Sequence, residues 1–188
     1  MRRIDPVEKQ ILLHCCCAVC GSGCIERLQE AGWQVLLFFA NSNIAPETEY
    51  LRRLDAMRQL AEITGLTLLE DHYDHAAWLN AVSGLENEPE KGARCPVCFG
   101  FSLERAARKA AELGIRHFTT SLTVSPLKNS RVIFQIGSRF PGFEAIDFKK
   151  KDGYLRSCRL AAEYGLYRQN YCGCEFSRRE VLSDFRNS

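Results

Sequence analysis

Short, largely apolar runs, each separated from the next by a helix-length stretch, most constrain how this chain folds. Residues 11–13 (ILL), 34–40 (QVLLFFA), 67–70 and 117–122 read as strands, and residues 143–148 as a fifth. Runs this apolar need cover on both faces. The intervening stretches supply it. A loop containing Gly21, Ser22 and Gly23 leads into a helix that runs to Ala31, with Gly32 as its cap. Pro46 opens a long helix ending near Gly65. Shorter helices are expected over residues 74–82, 98–113, 130–139 and 155–164, with residues 84–94 as a loop. This alternation predicts an α/β fold: one domain over residues 1–188, a mostly parallel sheet flanked by helices, and a disordered tail at residues 1–9. In open sheets of this kind, sites collect at the C-terminal ends of the strands.

The first run stops at His14 and three consecutive thiols. The chain carries ten cysteines in 188 residues. Most fall in three tight clusters: Cys15-Cys16-Cys17 with Cys20, Cys95-Pro-Val-Cys98, and Cys172-Gly-Cys174. The start of the chain is charged and lacks an apolar signal core, and no run approaches the roughly 18 apolar residues of a membrane span. A cytoplasmic protein is therefore expected, with no membrane partner and with its thiols reduced and free of disulfides. A net charge of +2 neither proves nor excludes a polyanionic partner, because charge can be local.

Thiolate is a soft ligand that selects zinc, copper(I) or iron–sulfur clusters. Cys95 and Cys98 have the spacing of a metal-binding pair and lead into a helix, whose free N–H groups and dipole favour thiolate. Cys16 and Cys17 are neighbours that point in different directions, so they suit two adjacent centres. Gly173 lets the backbone fold close to a metal. Together the clusters exceed the four ligands of one zinc, and one iron–sulfur cluster needs about four. An iron–sulfur cluster or a multi-metal site is the leading expectation. Cys15, Cys24 and Cys158 read as bystanders, and His14 as a hydrogen-bonded structural histidine.

The ordered set of motifs resembles the QueH-type epoxyqueuosine reductase family. It begins with His14-Cys15-Cys16-Cys17-Ala18-Val19-Cys20, where the family pattern has proline at the Val19 position and a variable residue at Cys15. It continues with Asn41-Ser42-Asn43-Ile44 and Pro46, then Glu49-Tyr50-x-Arg52-Arg53, then Glu88-Pro89-Glu90-x-Gly92-x-Arg94-Cys95-x-x-Cys98. Phe118-Thr119-Thr120-Ser121-Leu122 with Ser125-Pro126, Asp147-Phe148-Lys149-Lys150, and Tyr167-Arg168-Gln169-x-Tyr171-Cys172-Gly173-Cys174-x-x-Ser177 complete it. The resemblance spans residues 11–177.

That resemblance implies removal of the epoxide oxygen of epoxyqueuosine at the tRNA anticodon wobble position, without cobalamin. It implies a 4Fe–4S cluster beside a second metal ion, expected to be iron, with zinc in an aerobic preparation. The cluster is expected on Cys16, Cys20, Cys95 and Cys98, and the second metal on Cys17, Cys172 and Cys174. The metal would act as a Lewis acid on the epoxide oxygen. Proton donors are sought among Asp147, Tyr167 and Tyr171. Arg52, Arg53, Arg94, Lys128, Lys149, Lys150, Lys151, Arg168 and the Arg178-Arg179 pair are candidates for a basic rim that holds tRNA phosphates. Tyr50, Phe99 and Tyr154 are candidates to stack on an unpaired base. An external electron donor is required.

The resemblance also implies the fold of the adenine-nucleotide α-hydrolases and PP-loop proteins. Their Ser-Gly-Gly-x-Asp-Ser phosphate loop is absent, which argues against ATP use and against an iron–sulfur tRNA thiolase. The other alternative is a zinc-stabilised nucleic-acid-binding module without redox activity, using Cys95, Cys98, Cys172 and Cys174.

Overall fold

The computed structural model describes residues 9–177. The expected tail, apart from Lys9, and the Arg178-Arg179 pair lie outside the described residues. In chain order the elements are β1 (Gln10–His14), α1 (Ala18–Glu30), β2 (Gln34–Phe39), α2 (Glu47–Thr64), β3 (Leu68–Glu70) and α3 (His75–Ala81). They continue with α4 (Arg94–Glu112), β4 (His117–Thr120), a 3-10 turn (Ser121–Val124), α5 (Ser130–Gly137) and α6 (Gly153–Glu163). The strands form one parallel sheet in the order β3-β2-β1-β4. Among the described residues, no helix is long and apolar enough to cross a membrane.

Two cores explain why the strand runs are apolar. Ile11, Leu13, Val35, Leu37 and Phe39 face one side, against Ile25 and Leu28 of α1 and Met57 and Leu60 of α2. Leu12 and Phe38 face the other, against Leu103 and Ala106 of α4 and Ile133 and Ile136 of α5. Each fully buried aliphatic side chain contributes about 1.5–3 kcal/mol, so neither face of β1 tolerates a polar alternation. Cys16, just past the end of β1, touches both cores.

Three departures from the sequence reading have a physical reason. Residues 21–23 are helical, not a loop, because their glycines serve close approach between helices. A Cβ on Gly23 would lie 2.3 Å from the Ser157 hydroxyl of α6. Residues 143–148 are not a fifth strand. They make one parallel bridge, Phe118 to Phe143. Beyond it the threonine hydroxyls of Thr119 and Thr123 take the carbonyls of Glu144 and Ile146, both at 2.9 Å, in place of a ladder of N–H groups. Finally, α4 begins at Arg94 rather than Cys98, which puts Cys95 and Cys98 on one face at its N-terminal end.

Candidate metal centre

The C-terminal end of β1 is held from both sides. Asn41, just past β2, donates its side-chain amide to the Cys15 carbonyl at 2.8 Å. Ser121, just past β4, accepts the Cys16 N–H at 2.9 Å and donates its hydroxyl to the Cys16 sulfur at 3.3 Å. His14 is fully buried. One ring nitrogen bonds Thr120 Oγ1 at 2.9 Å and the other the Ala40 carbonyl at 3.2 Å. Both nitrogens are thus occupied, and burial pushes the ring's pKa down to about 4, so it is a neutral brace.

Cys17 caps α1, its sulfur accepting the Cys20 N–H at 3.4 Å. The sulfurs of Cys16, Cys17 and Cys20 all lie within 4.8 Å of one another. Hydrogen bonds from the Cys16 and Cys20 thiols hold Cys17 well below the usual thiol range. Donating to Cys17 pushes Cys16 up to about 12, and donating to its neighbours and burial push Cys20 well above its ordinary value. Three sulfurs this close share one negative charge unless a cation joins them. Sulfurs bound at about 2.3 Å to one tetrahedral ion stand about 3.8 Å apart, so this triad suits a single metal ion.

A second group gathers around the start of α4. Burial, followed by the charge of Cys172, pushes Cys98 far up, and burial likewise raises Cys95; Cys174 adds to both. Cys174 is buried against Trp78, Val82 and Phe176. Between the two terminal thiols, Gly173 has φ +126°, and a Cβ there would lie 3.1 Å from both Arg53 Nη1 and Ile44 Cγ1. Only glycine fits that approach. Arg53, 2% exposed, pairs with Glu49 at 2.8 Å and donates to the carbonyls of Cys172 at 3.0 Å and Tyr171 at 3.2 Å. The sequence reading separated Cys16, Cys20, Cys95 and Cys98 from Cys17, Cys172 and Cys174. Among the described residues the fold brings Cys16, Cys17 and Cys20 to within 4.8 Å of one another, while Cys95, Cys98, Cys172 and Cys174 lie near enough to raise the thiol pKa of Cys95 and Cys98 without closing to that distance.

A cavity of about 680 Å³ opens between the groups, lined by Cys16, Cys17, Cys20, Cys98 and Cys172. Phe99, Tyr154, Tyr171, Glu90, Lys128, Arg168 and Gln169 are among its other walls. A smaller cavity of about 220 Å³ adjoins it and is lined by Cys95, Cys172, Phe99 and Lys128. The donor set fits a metal-bearing centre: soft ligands from three remote segments, mostly shielded from water.

Other expected site residues are placed less simply. Asp147 and Tyr167 do not line the cavity. Asp147 accepts from Ser130 Oγ at 3.2 Å, and the Tyr167 hydroxyl donates to Glu49 at 3.0 Å. Tyr171 lines the cavity but turns its hydroxyl to the Ala45 carbonyl at 2.9 Å. Of the expected rim, Arg52, Lys150, Lys151 and Arg168 are exposed. Arg53 and Arg94 are interior. Arg94 is 1% exposed and donates to the carbonyls of Leu85, Glu86 and Glu88. Lys149 donates to the carbonyls of Lys128 at 2.6 Å and Ser125 at 3.2 Å. Tyr50 is 4% exposed and packs on Phe39 and Tyr73, so it offers no free face.

Ser121, Asn41 and Lys128 were not read from sequence as parts of a metal centre. The position of Ser121 and Asn41 just past strand ends was the available signal. Lys128 had no such mark. Burial lowers its pKa, but the neighbouring sulfurs of Cys172, Cys16, Cys20 and Cys17 raise it by more, so the ammonium is favoured.

With this geometry in hand, relatedness can be stated. A family profile described as epoxyqueuosine reductase QueH matches residues 11–180. A protein of that name from Streptococcus pyogenes serotype M1 is 40% identical over 186 residues, covering 93% of this chain and 72% of its own length. One from Acinetobacter baylyi is 37% identical over 183 residues, covering 94% and 84%. One from Thermotoga maritima is 35% identical over 178 residues, covering 90% and 91%. A profile match over residues 11–180 and relatives 35–40% identical over at least nine-tenths of this chain place it in the epoxyqueuosine reductase QueH family.

Proposed function

We propose that this chain reduces epoxyqueuosine to queuosine at the wobble position of tRNA. The epoxide oxygen leaves as water: two electrons and two protons enter, two C–O bonds break, and the C–C bond between them becomes double. The observation that carries this reading is the convergence of Cys16, Cys17, Cys20, Cys98 and Cys172 on one cavity of about 680 Å³. It sets thiols for a redox centre beside a space that can take a modified base. A wobble base already stands in a single-stranded loop, so little pairing is lost when it enters.

In this reading Cys95, Cys98, Cys172 and Cys174 hold a 4Fe–4S cluster, and Cys16, Cys17 and Cys20 hold a second ion, iron in anaerobic protein. When bound, these groups supply single electrons and Lewis acidity. An external donor recharges them. The protein's own residues do the rest. Phe99 and Tyr154 flank the base, and exposed Arg52, Lys150 and Arg168 contact phosphates. Asn41, Ser121 and Arg53 fix the loops that carry the thiols.

Anaerobically reconstituted protein, given tRNA bearing epoxyqueuosine and a chemical reductant, should yield a nucleoside lighter by one oxygen. The protein should be brown, absorbing broadly at about 400 nm. A colourless protein with one zinc per chain and no turnover would favour a nucleic-acid-binding module instead.

A further inference from the structure

The cavity contains one ammonium group that neither the thiol chemistry nor the phosphate rim requires. Lys128 lines both the larger and the smaller cavity. Its backbone is fixed: the Lys128 N–H donates to the Ser125 carbonyl at 3.2 Å, and Lys149 Nζ donates to the Lys128 carbonyl at 2.6 Å. Asn129, the next residue, caps α5 through the Arg131 N–H at 3.0 Å. The side chain therefore extends from a rigid base.

The other cations on the cavity wall are committed. Arg53 spends its guanidinium on Glu49 and on the carbonyls of Tyr171 and Cys172. Arg168 is exposed and donates to the Tyr154 hydroxyl at 3.2 Å. No carbonyl or carboxylate among the described residues receives a hydrogen bond from Lys128 Nζ. Lys128 shares the cavity walls with Cys16, Cys17, Cys20 and Cys172 on one side and with Cys95 and Cys172 on the other, so its ammonium stands beside the proposed redox centre with donor protons to spare.

The geometry points to Lys128 as the group that hydrogen-bonds the epoxide oxygen of the substrate and so distinguishes substrate from product. This rests on the proposed reaction. The epoxide oxygen is an acceptor that the product lacks. A positioned ammonium therefore binds substrate more tightly than product, and its hydrogen bond strengthens as negative charge grows on the departing oxygen. The product offers no acceptor where that oxygen stood, so the half-buried ammonium gains nothing from it.

The test uses anaerobically reconstituted wild type, Lys128→Met and Lys128→Gln, with iron and sulfide counted in each. Anticodon stem-loop RNA carrying epoxyqueuosine, and the same RNA carrying queuosine, are titrated without reductant so that no turnover occurs. Wild type should prefer the epoxide RNA by about tenfold, the scale of a charged hydrogen bond. Both variants should bind the two RNAs equally, with affinity for the queuosine RNA unchanged. If a variant loads iron poorly, the same comparison is made between metal-free wild type and metal-free variant and read in the same way. A wild type without preference, a variant that keeps it, or variants weakened equally toward both RNAs overturns the assignment. Failure of the functional proposal reads differently: wild type would prefer the epoxide RNA yet leave its mass unchanged when reductant is added.

Discussion

The Ser121 hydroxyl both accepts the Cys16 N–H at 2.9 Å and donates to the Cys16 sulfur at 3.3 Å. One fully buried side chain thus fixes the backbone and the thiol of a residue in the link from β1 to α1. Ser121→Ala should leave that buried N–H unpaired and cost about 1–3 kcal/mol of stability. It should also weaken metal binding about 10–100-fold, the usual effect of losing a group that orients a ligand. Thermal melting and chelator competition measure the two separately. Unchanged chelator competition would remove Ser121 from the centre.

Gly23 and Ser157 form a tight crossing between α1 and α6. Gly23→Ala should cost about 1–3 kcal/mol through overpacking, since the new methyl meets the Ser157 hydroxyl at 2.3 Å. In a Ser157→Ala background the same substitution should cost less than about 1 kcal/mol, because the clashing oxygen is gone. Denaturant unfolding of the four proteins gives the cycle, and strict additivity would contradict this packing.

Buried neutral His14 makes stability depend on pH. Its ring titrates at about 4 in the fold and at its ordinary 6.5 when unfolded. The unfolded chain therefore binds the extra proton first. The contribution is fully present above pH 6.5 and is lost as pH falls toward 4, by about 3 kcal/mol in all. His14→Gln should flatten that part of the curve. Melting midpoints of metal-free protein between pH 4 and 7 would show the difference.

The charged residues separate into two groups with opposite signatures. Arg52, Lys150 and Arg168 are exposed, and replacing any one with Ala should lower the salt slope of stem-loop binding by about 1. Arg94 is interior, and Arg94→Ala should instead release the carbonyls of Leu85, Glu86 and Glu88 and lower the melting temperature. A salt slope that changed only with Arg94 would reverse the two roles.

These contrasts mark what could be read from the sequence. The strands were legible because burial on both faces removes alternation, and the helix from Pro46 to Gly65 because its ends carry a proline and a left-handed glycine. Residues 143–148 misled because a short segment rich in Phe and Ile looks the same whether N–H groups or threonine hydroxyls donate to its carbonyls. Gly21 and Gly23 resembled turn residues because sequence does not show what crosses a helix. Which thiols meet was not legible, since it depends on which loops the fold closes together: Cys16 and Cys17 read as serving different centres, yet their sulfurs and that of Cys20 lie within 4.8 Å of one another. Arg53 and Arg94 resembled surface cations, although each is buried with its charge bonded to backbone oxygens.

The terminal loop, clasped by Arg53, also sets a timetable. Cys16, Cys17 and Cys20 emerge from the ribosome some 150 residues before Cys172 and Cys174, a lag of about 8–30 s at ordinary rates of synthesis. The first thiols made are thus the last to be set in place: Cys15 waits for Asn41, Cys16 for Ser121, and the far wall of the cavity for the loop that Arg53 holds.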